Sequence, residues 1–369
     1  MNLVGIASQA AGEMQNKRLQ NLYQRDFLAW QADVLGLRTY EKMQQICNTA
    51  LFDPNPRTII KSSNGTSKDL ALDTPILTTE GWKTMESVRV GDKVFSEEGT
   101  PIPVVWKSEV FHKPSFKVLF DDGSYLVTSD SHEWNTISLK ERGNHKTSDW
   151  RDNWDMSSTK TTGEIRDTLL NKTGKIRNHL VPLARPVQFP EADLPVHHYV
   201  LGAWLGDGTS VRAEITCNYQ VDRICELGYP PVKRDTADYS YVAVKDQKAR
   251  VRGWTSRLKL DLTDLGVVGN KHIPEEYLYS SVEQRIELVR GLMDTDGSAD
   301  QRGALAGWGQ SNIDLVGQFC DLLTSLGVRF SITEYQPSKG KKAWTVKFRS
   351  WFDPFTPGER KSKIYSPVS

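Results

Sequence analysis

The chain has 369 residues, and its 47 lysines and arginines nearly balance 46 aspartates and glutamates, for a formal net charge of +1. That length suits two or three domains, and the neutral balance excludes nucleic-acid binding by bulk charge, so any such contact needs a local basic face. The four cysteines (Cys47, Cys217, Cys225, Cys320) show no CxxC spacing, which argues against a disulfide framework or zinc site and fits a reducing cytosol, and no apolar run approaches the ~18 residues that span a bilayer, so no membrane partner is expected.

In residues 15–50, Phe27, Trp30, Val34 and Leu35, then Met43, Ile46 and Cys47, recur at helical spacing. After DPNP at 53–56 an apolar run leads into KSSNGTSKD at 61–69. A strand feeding a Gly-rich loop with a lysine is the plan of a phosphate loop, with Gly65 and Lys68 as its nucleotide-binding candidates. Ser67 stands at the usual final glycine, and Asp69 where a Ser or Thr would hold magnesium, so a plain surface loop is an equal reading. The order LAWQADVLGLRTYEKMQ then NPRTIIKSSN resembles the start of a phage terminase large subunit. That resemblance implies ATP as a cofactor of an intact motor only. The later acidic pair such motors need does not occur within residues 1–70, so this chain is not expected to turn over ATP.

Residues 72–78 and 93–95 read as short strands, punctuated by Gly-Trp at 81–82 and Gly-Asp at 91–92. FKVLF at 116–120, DDGS at 121–124 and YLVT at 125–128 predict a hairpin. The chemistry sits in TSDSHEW at 128–134. A histidine can protonate a departing amide nitrogen, and a threonine can hold a peptide in an activated geometry. In the plainer alternative His132 caps a turn and Trp134 is a core aromatic.

The stretch ALDTPILTTEGWKTMESVRVGDKVF at 71–95, followed by that cluster, resembles the opening and second blocks of inteins, self-splicing insertions built on the all-β Hint horseshoe. The resemblance implies that Thr128 and His132 act on the Leu70–Ala71 bond. Most inteins begin with a Cys or Ser nucleophile, but here the first position is Ala71. Trp134, two positions after the block histidine, is similar to class 3 inteins, which use an internal Cys instead; class 2 stays open. The chain ends in KSKIYSPVS, with no His-Asn pair near its end and no Cys after Cys320. As it stands it is not expected to complete splicing in cis, and a C-terminal intein and terminase segment would be the missing partner.

Residues 137–190 are polar, with a helix expected from a capping Thr162 to about Leu170. The Pro-rich run HLVPLARPVQFPEADLP at 179–195 marks a domain boundary.

Two later segments share one form: YVLGAWLGDG at 199–208 and LVRGLMDTDG at 288–297. Each reads as an apolar helix ending in Asp-Gly. Glycine destabilises a helix by roughly 1 kcal/mol relative to Ala, so Gly202, Gly206 and Gly291 need a reason, and close helix–helix approach supplies one. Gly208 and Gly297 fit C-terminal caps. Packing the helices side by side joins Asp207 and Asp296, two carboxylates already in the negative field of helix C-termini, which calls for a magnesium ion. The duplicated pattern resembles the LAGLIDADG homing endonucleases. That resemblance implies a pseudo-symmetric αββαββα fold, double-stranded DNA as partner, Mg2+ as cofactor held by Asp207 and Asp296, and a catalytic Lys271 in NKHIP at 270–274. The target implied is an intein-free copy of the terminase gene, in the cytoplasm of a bacterial host carrying phage or prophage DNA.

Beyond the second copy, Ser311-Asn312 caps a helix with Leu315, Phe319, Leu322, Leu323 and Leu326, closed by Gly327. Two amphipathic strands come next, with Arg329, Lys347 and Arg349 as the DNA-binding face; a solvated edge is the equal alternative. The expected fold class is α+β and multidomain: a terminase-like start at 1–70, an incomplete Hint domain with linker at 71–190, the endonuclease at 191–350, and the start of a return to the Hint domain at 351–369. A catalytically inert remnant, or part of a terminase ATPase module, are the rival readings.

Overall fold

The computed structural model describes residues 70–121, 123–143, 157–171, 173–216, 220–229, 231–233, 240–243, 257–300, 305–336, 342–358 and 360–367. All lie in one compact unit, residues 67–369. The helical reading of residues 15–50 and the phosphate-loop candidates Gly65 and Lys68 fall outside the described residues. The fold mixes α and β, and no helix among the described residues is long and apolar enough to cross a membrane.

The first part is built of short antiparallel strands. β1 (Pro75–Thr78), β2 (Gly81–Thr84), β3 (Lys93–Phe95) and β4 (Pro101–Pro103) form a sheet in the order β2-β1-β3-β4. The tight β1–β2 turn needs the left-handed backbone that glycine tolerates, and Gly81 has φ 102°. β5 (Ser115–Leu119) and β6 (Tyr125–Ser129) form the expected hairpin, Phe116 opposite Thr128. β7 (Glu133–Ser138) runs between β8 (Ser158–Thr161) and β9 (His179–Leu180), followed by α1 (Leu139–Gly143) and α2 (Thr162–Asp167) along the chain. The cap of α2 is Thr161, one residue before the expected Thr162. Thr161 and Glu164 form a reciprocal capping box, and the helix stops at Asp167, short of Leu170.

The second part holds most of the core. Its elements are α3 (His198–Asp207), β10 (Glu214–Thr216), α4 (Gln220–Glu226), β11 (Pro231–Lys233), β12 (Ser240–Ala243), α5 (Arg257–Asp264) and α6 (Glu275–Leu278). Then come α7 (Val282–Asp296), β13 (Gly297–Ala299), β14 (Ala306–Gln310), α8 (Ile313–Ser325), β15 (Phe330–Tyr335), β16 (Ala343–Phe348) and α9 (Arg360–Ile364). The sheets are ordered β10-β12-β11 and β13-β14-β16-β15. The first repeats the last three strands of the second, and the isolated bridge of Gly208 to Ile215 stands where Gly297 pairs with Trp308 in β13–β14. One motif therefore occurs twice, each copy led by a helix that runs into its sheet.

α3 and α7 pack against each other backbone to backbone. A methyl on Gly202 would stand 3.1 Å from Gly291 Cα, and one on Gly291 2.9 Å from Gly202 Cα. That contact is the reason for glycines in mid-helix. Gly208 and Gly297 do cap these helices, but in extended backbone with φ −79° and −83° and not in the left-handed form. What excludes a side chain there is space: an added Cβ would lie 2.5 Å from Trp204 Cδ1 at Gly208 and 2.6 Å from Met293 Cε at Gly297.

The Pro-rich run at 179–195 is bound on both sides. Arg185 N–H donates to Glu97 O at 2.8 Å and Gln188 N–H to Gly99 O at 2.8 Å, while Val187 N–H donates to Ser325 O at 2.9 Å. The fully buried Arg285 clasps it from α7, donating to Ser280 O at 2.9 Å, Ser325 O at 2.9 Å, Ser325 Oγ at 2.6 Å and Val187 O. From the segment 351–369, expected to begin a return to the Hint domain, Thr356 and Lys361 donate hydrogen bonds to α7. Ser350 N–H donates to Tyr365 Oη at 2.8 Å, and Thr356 Oγ1 to Asp294 Oδ2 at 2.6 Å.

Candidate functional sites

Asp207 closes α3 and Asp296 closes α7. Each helix is started by a side-chain cap, His197 on α3 and a Ser281–Gln284 capping box on α7, so both are fixed at their far ends. The contact at Gly202 and Gly291 then sets the two C-termini side by side. A methyl on Gly206 of α3 would stand 3.4 Å from Asp296 Oδ2, so the Asp296 carboxylate lies against the last turn of the neighbouring helix.

Two lysines complete the site. Lys271 Nζ donates to Leu205 O at 2.9 Å and Gly206 O at 3.0 Å, the open carbonyls at the end of α3. Lys361 Nζ donates to Met293 O at 3.2 Å, Asp294 O at 2.9 Å and Thr295 O at 3.3 Å, the matching carbonyls of α7. An ammonium on C-terminal carbonyls suits the helix dipole, and on α7 it adds to the bonds that Met293 O and Asp294 O already accept from Gly297 N–H and Gln220 Nε2. Lys361 was not among the residues read from the sequence. Its only signal was arithmetic: a duplicated helix end with one lysine calls for a second.

Burial dominates the electrostatics. It raises Asp207 above the ordinary carboxylate range against the opposing pull of Lys271 and Lys361. It pushes Asp296 up to about 6, with the charge of Asp207 adding to the effect and the two lysines opposing it. Both lysines are lowered by burial, partly offset by the aspartates. Two crowded, partly desolvated carboxylates are a donor set that a hard divalent cation fits. Among the described residues no group of three or more His, Cys, Asp or Glu side chains surrounds a common point, so water and substrate oxygens would fill the remaining coordination.

The three basic residues read as a DNA face are placed differently from one another. On β16, Trp344, Val346 and Phe348 lie on one face of the sheet, and Lys347 points to the other, exposed and opposite Gly307 and Ser331 in the adjoining strands. Arg349 is exposed just past the strand. Arg329 instead pairs with Asp121, in the β5–β6 turn.

At the other site, Leu70 bridges Thr128 in antiparallel fashion, and Ala71 N–H donates to Val127 O at 3.0 Å. The Leu70–Ala71 peptide is thus held along β6. Thr128, His132 and Trp134 are all buried, and the His132 and Trp134 rings meet edge to face with centroids 4.8 Å apart. The three expected residues converge here. A fourth, Thr162, was read only as a helix cap. Its hydroxyl lies 3.1 Å from Thr128 Oγ1, accepts from Trp134 Nε1 at 2.9 Å and stands 3.3 Å from His132 O.

No family model matches the chain. It is 35% identical over 278 residues to a replicative DNA helicase DnaB of Mycobacterium intracellulare, covering 73% of this chain and 44% of that protein. It is 37% identical over 84 residues to a replicative DNA helicase DnaB of Mycobacterium leprae, covering 22% of this chain and 14% of that one. The chain therefore spans less than half the length of the curated relatives it matches. An alignment of 278 residues cannot lie within a 70-residue opening segment, so most of it falls on the residues after Leu70. These matches give no support to a terminase host or a phage origin. Among solved structures the chain is similar to the MchDnaB-1 intein, at 41% identity over 18% of this chain and 52% of that one with a TM-score of 0.18. It is also similar to the homing endonuclease I-DmoI, solved with DNA and manganese, at 16% identity over 41% of this chain and 88% of that one with a TM-score of 0.29.

Proposed function

We propose that this chain is an intein carrying a LAGLIDADG-type homing endonuclease, which cuts double-stranded DNA at a specific sequence in a host gene lacking the insertion. The observation that carries the reading is the twofold arrangement of Asp207, Asp296, Lys271 and Lys361 on two helix ends held together by glycines. A magnesium ion held between the two aspartates would neutralise the phosphodiester and lower the pKa of a bound water. The chain's own residues do the rest. Gly202 and Gly291 fix the spacing of the carboxylates. Lys271 and Lys361 present positive charge toward negative charge developing on phosphate oxygens, and burial makes each yield a proton more readily than a solvated lysine. The outward face of β16, with Lys347, would enter the major groove.

At the second site, His132 would protonate the Ala71 nitrogen as the Leu70–Ala71 bond breaks, and Thr128 would hold the bond in place. Ala71 supplies no nucleophile, so the Leu70 acyl group would have to pass to a group that the described residues do not bring to the junction, a thiol in class 3 splicing, with class 2 still open. The endonuclease reading is tested by incubating the chain with Mg2+ and a randomised duplex library and sequencing the ends. Enrichment of one site, cut in both strands, is expected. A library left uncut at every site would overturn the reading.

A further inference from the structure

Thr162 gathers three groups of the splicing site around one hydroxyl. It is buried, and it opens α2, the helix capped by Thr161 and Glu164. The cap therefore leaves the Thr162 side chain unused by the helix and turned to the junction. A threonine hydroxyl has one proton and two lone pairs. The Trp134 indole can only donate, so its 2.9 Å bond occupies one lone pair. His132 O can only accept, and it already receives Thr162 N–H at 2.9 Å. The Thr162 hydroxyl lies farther from it, at 3.3 Å, than from Thr128 Oγ1, at 3.1 Å. Its proton nonetheless goes to His132 O, which cannot donate, and the remaining Thr162 lone pair accepts from the Thr128 hydroxyl. Thr128, whose backbone pairs with Leu70 of the junction strand, is thereby held by its hydroxyl in one orientation.

We propose that Thr162 is a positioning residue of the splicing site: its hydroxyl anchors the Trp134 indole and the His132 carbonyl, and holds the Thr128 side chain in place beside the strand that pairs with Leu70. This rests on the splicing reading above. It gives Trp134 a defined task, since the indole holds Thr162 in place from one side while its ring backs His132 from the other. No nucleophile is asked of Thr162.

The test uses the full chain and two readouts. The first is the indole N–H resonance of Trp134 in tryptophan-labelled protein, assigned by its loss in Trp134→Phe. The resonance should move upfield in Thr162→Val and stay in place in Thr162→Ser. An unmoved resonance in Thr162→Val overturns the proposal whether or not the chain reacts. The second is scission after Leu70 by hydroxylamine, followed by mass spectrometry. The hydroxylamine nitrogen bonds to the Leu70 carbonyl carbon, the bond to Ala71 breaks, and the Ala71 nitrogen leaves with a proton. Thr162→Val should slow scission about tenfold, a factor within the span of acid–base effects, and Thr128→Val should add no further loss. Thr162→Ser should keep most of the rate. Wild-type rates in Thr162→Val, with the resonance moved, would reduce Thr162 to a packing residue. No scission in the wild-type chain, with the resonance moved, would count against the splicing reading and leave the Trp134 anchor standing.

Discussion

Replacing Asp296 by Asn should stabilise the protein at neutral pH. The Asp296 carboxyl titrates at about 6 in the fold, against an ordinary value of 3.8, because it is buried beside Asp207. Below both values the group is neutral folded or unfolded, and it imposes no penalty. As pH rises through 6 the folded protein must ionise a carboxyl that the unfolded chain ionises more easily, so stability is lost. A shift of about two units corresponds to at most ~3 kcal/mol. Solvent reaching the partly open site discounts this to roughly 1–2 kcal/mol. The neutral, nearly isosteric amide removes that cost. Differential scanning calorimetry should then show Asp296→Asn melting roughly 2–8 °C above wild type at about pH 7.5, given about 2–4 °C per kcal/mol for a domain of this size. Near pH 4 the two should converge. Millimolar Mg2+ should raise the wild-type melting temperature and narrow the gap, because a ligand bound only by the folded state stabilises it. A variant that melts at or below wild type at about pH 7.5 would refute the reasoning. It would mean that Lys271 and Lys361 already compensate the carboxylate pair.

Other substitutions probe the rest of the geometry. Lys361→Met should slow DNA cleavage about as much as Lys271→Met, each by tenfold or more, in single-turnover assays with binding retained. Arg285→Ala should destabilise the protein by about 3 kcal/mol or more in urea denaturation, because three carbonyls on Ser280, Ser325 and Val187 lose their buried donor. Lys347→Ala should weaken duplex binding and lower the salt slope by about one, whereas Arg329→Ala should do less, since Arg329 is already paired with Asp121.

The residues most legible in the sequence were those that violate a local rule. Gly202 and Gly291 sit in mid-helix at a cost, and the structure shows the backbone contact that requires them. The hairpin at 115–129 was legible from alternation around a DDGS turn, and α8 from its Asn312 cap and Gly327, which has φ 67°. The tandem Thr161-Thr162 was misread by one position, although counting back three from Glu164 marks Thr161 as the cap. That single step hid the Thr162 hydroxyl. Lys361 was illegible for another reason: it lies in KSKIYS, a segment with no periodicity, and its role depends on α7 carbonyls 66 to 68 residues away in sequence. The Pro-rich run at 179–195 read as a domain boundary, and its hold on both sides was not legible because its anchors are backbone groups and one distant arginine. β15 departs from clean alternation at Ile332, which is 49% exposed on the sheet edge.

The central claim is that Asp207 and Asp296 jointly hold the metal of a DNA-cutting site. Single-turnover cleavage of the duplex selected by the wild-type chain, measured with Mg2+ alongside binding in its absence, tests it most directly. Asp207→Asn and Asp296→Asn should each abolish cutting of both strands while binding the duplex as tightly as wild type. Undiminished cutting by the double variant would contradict the claim.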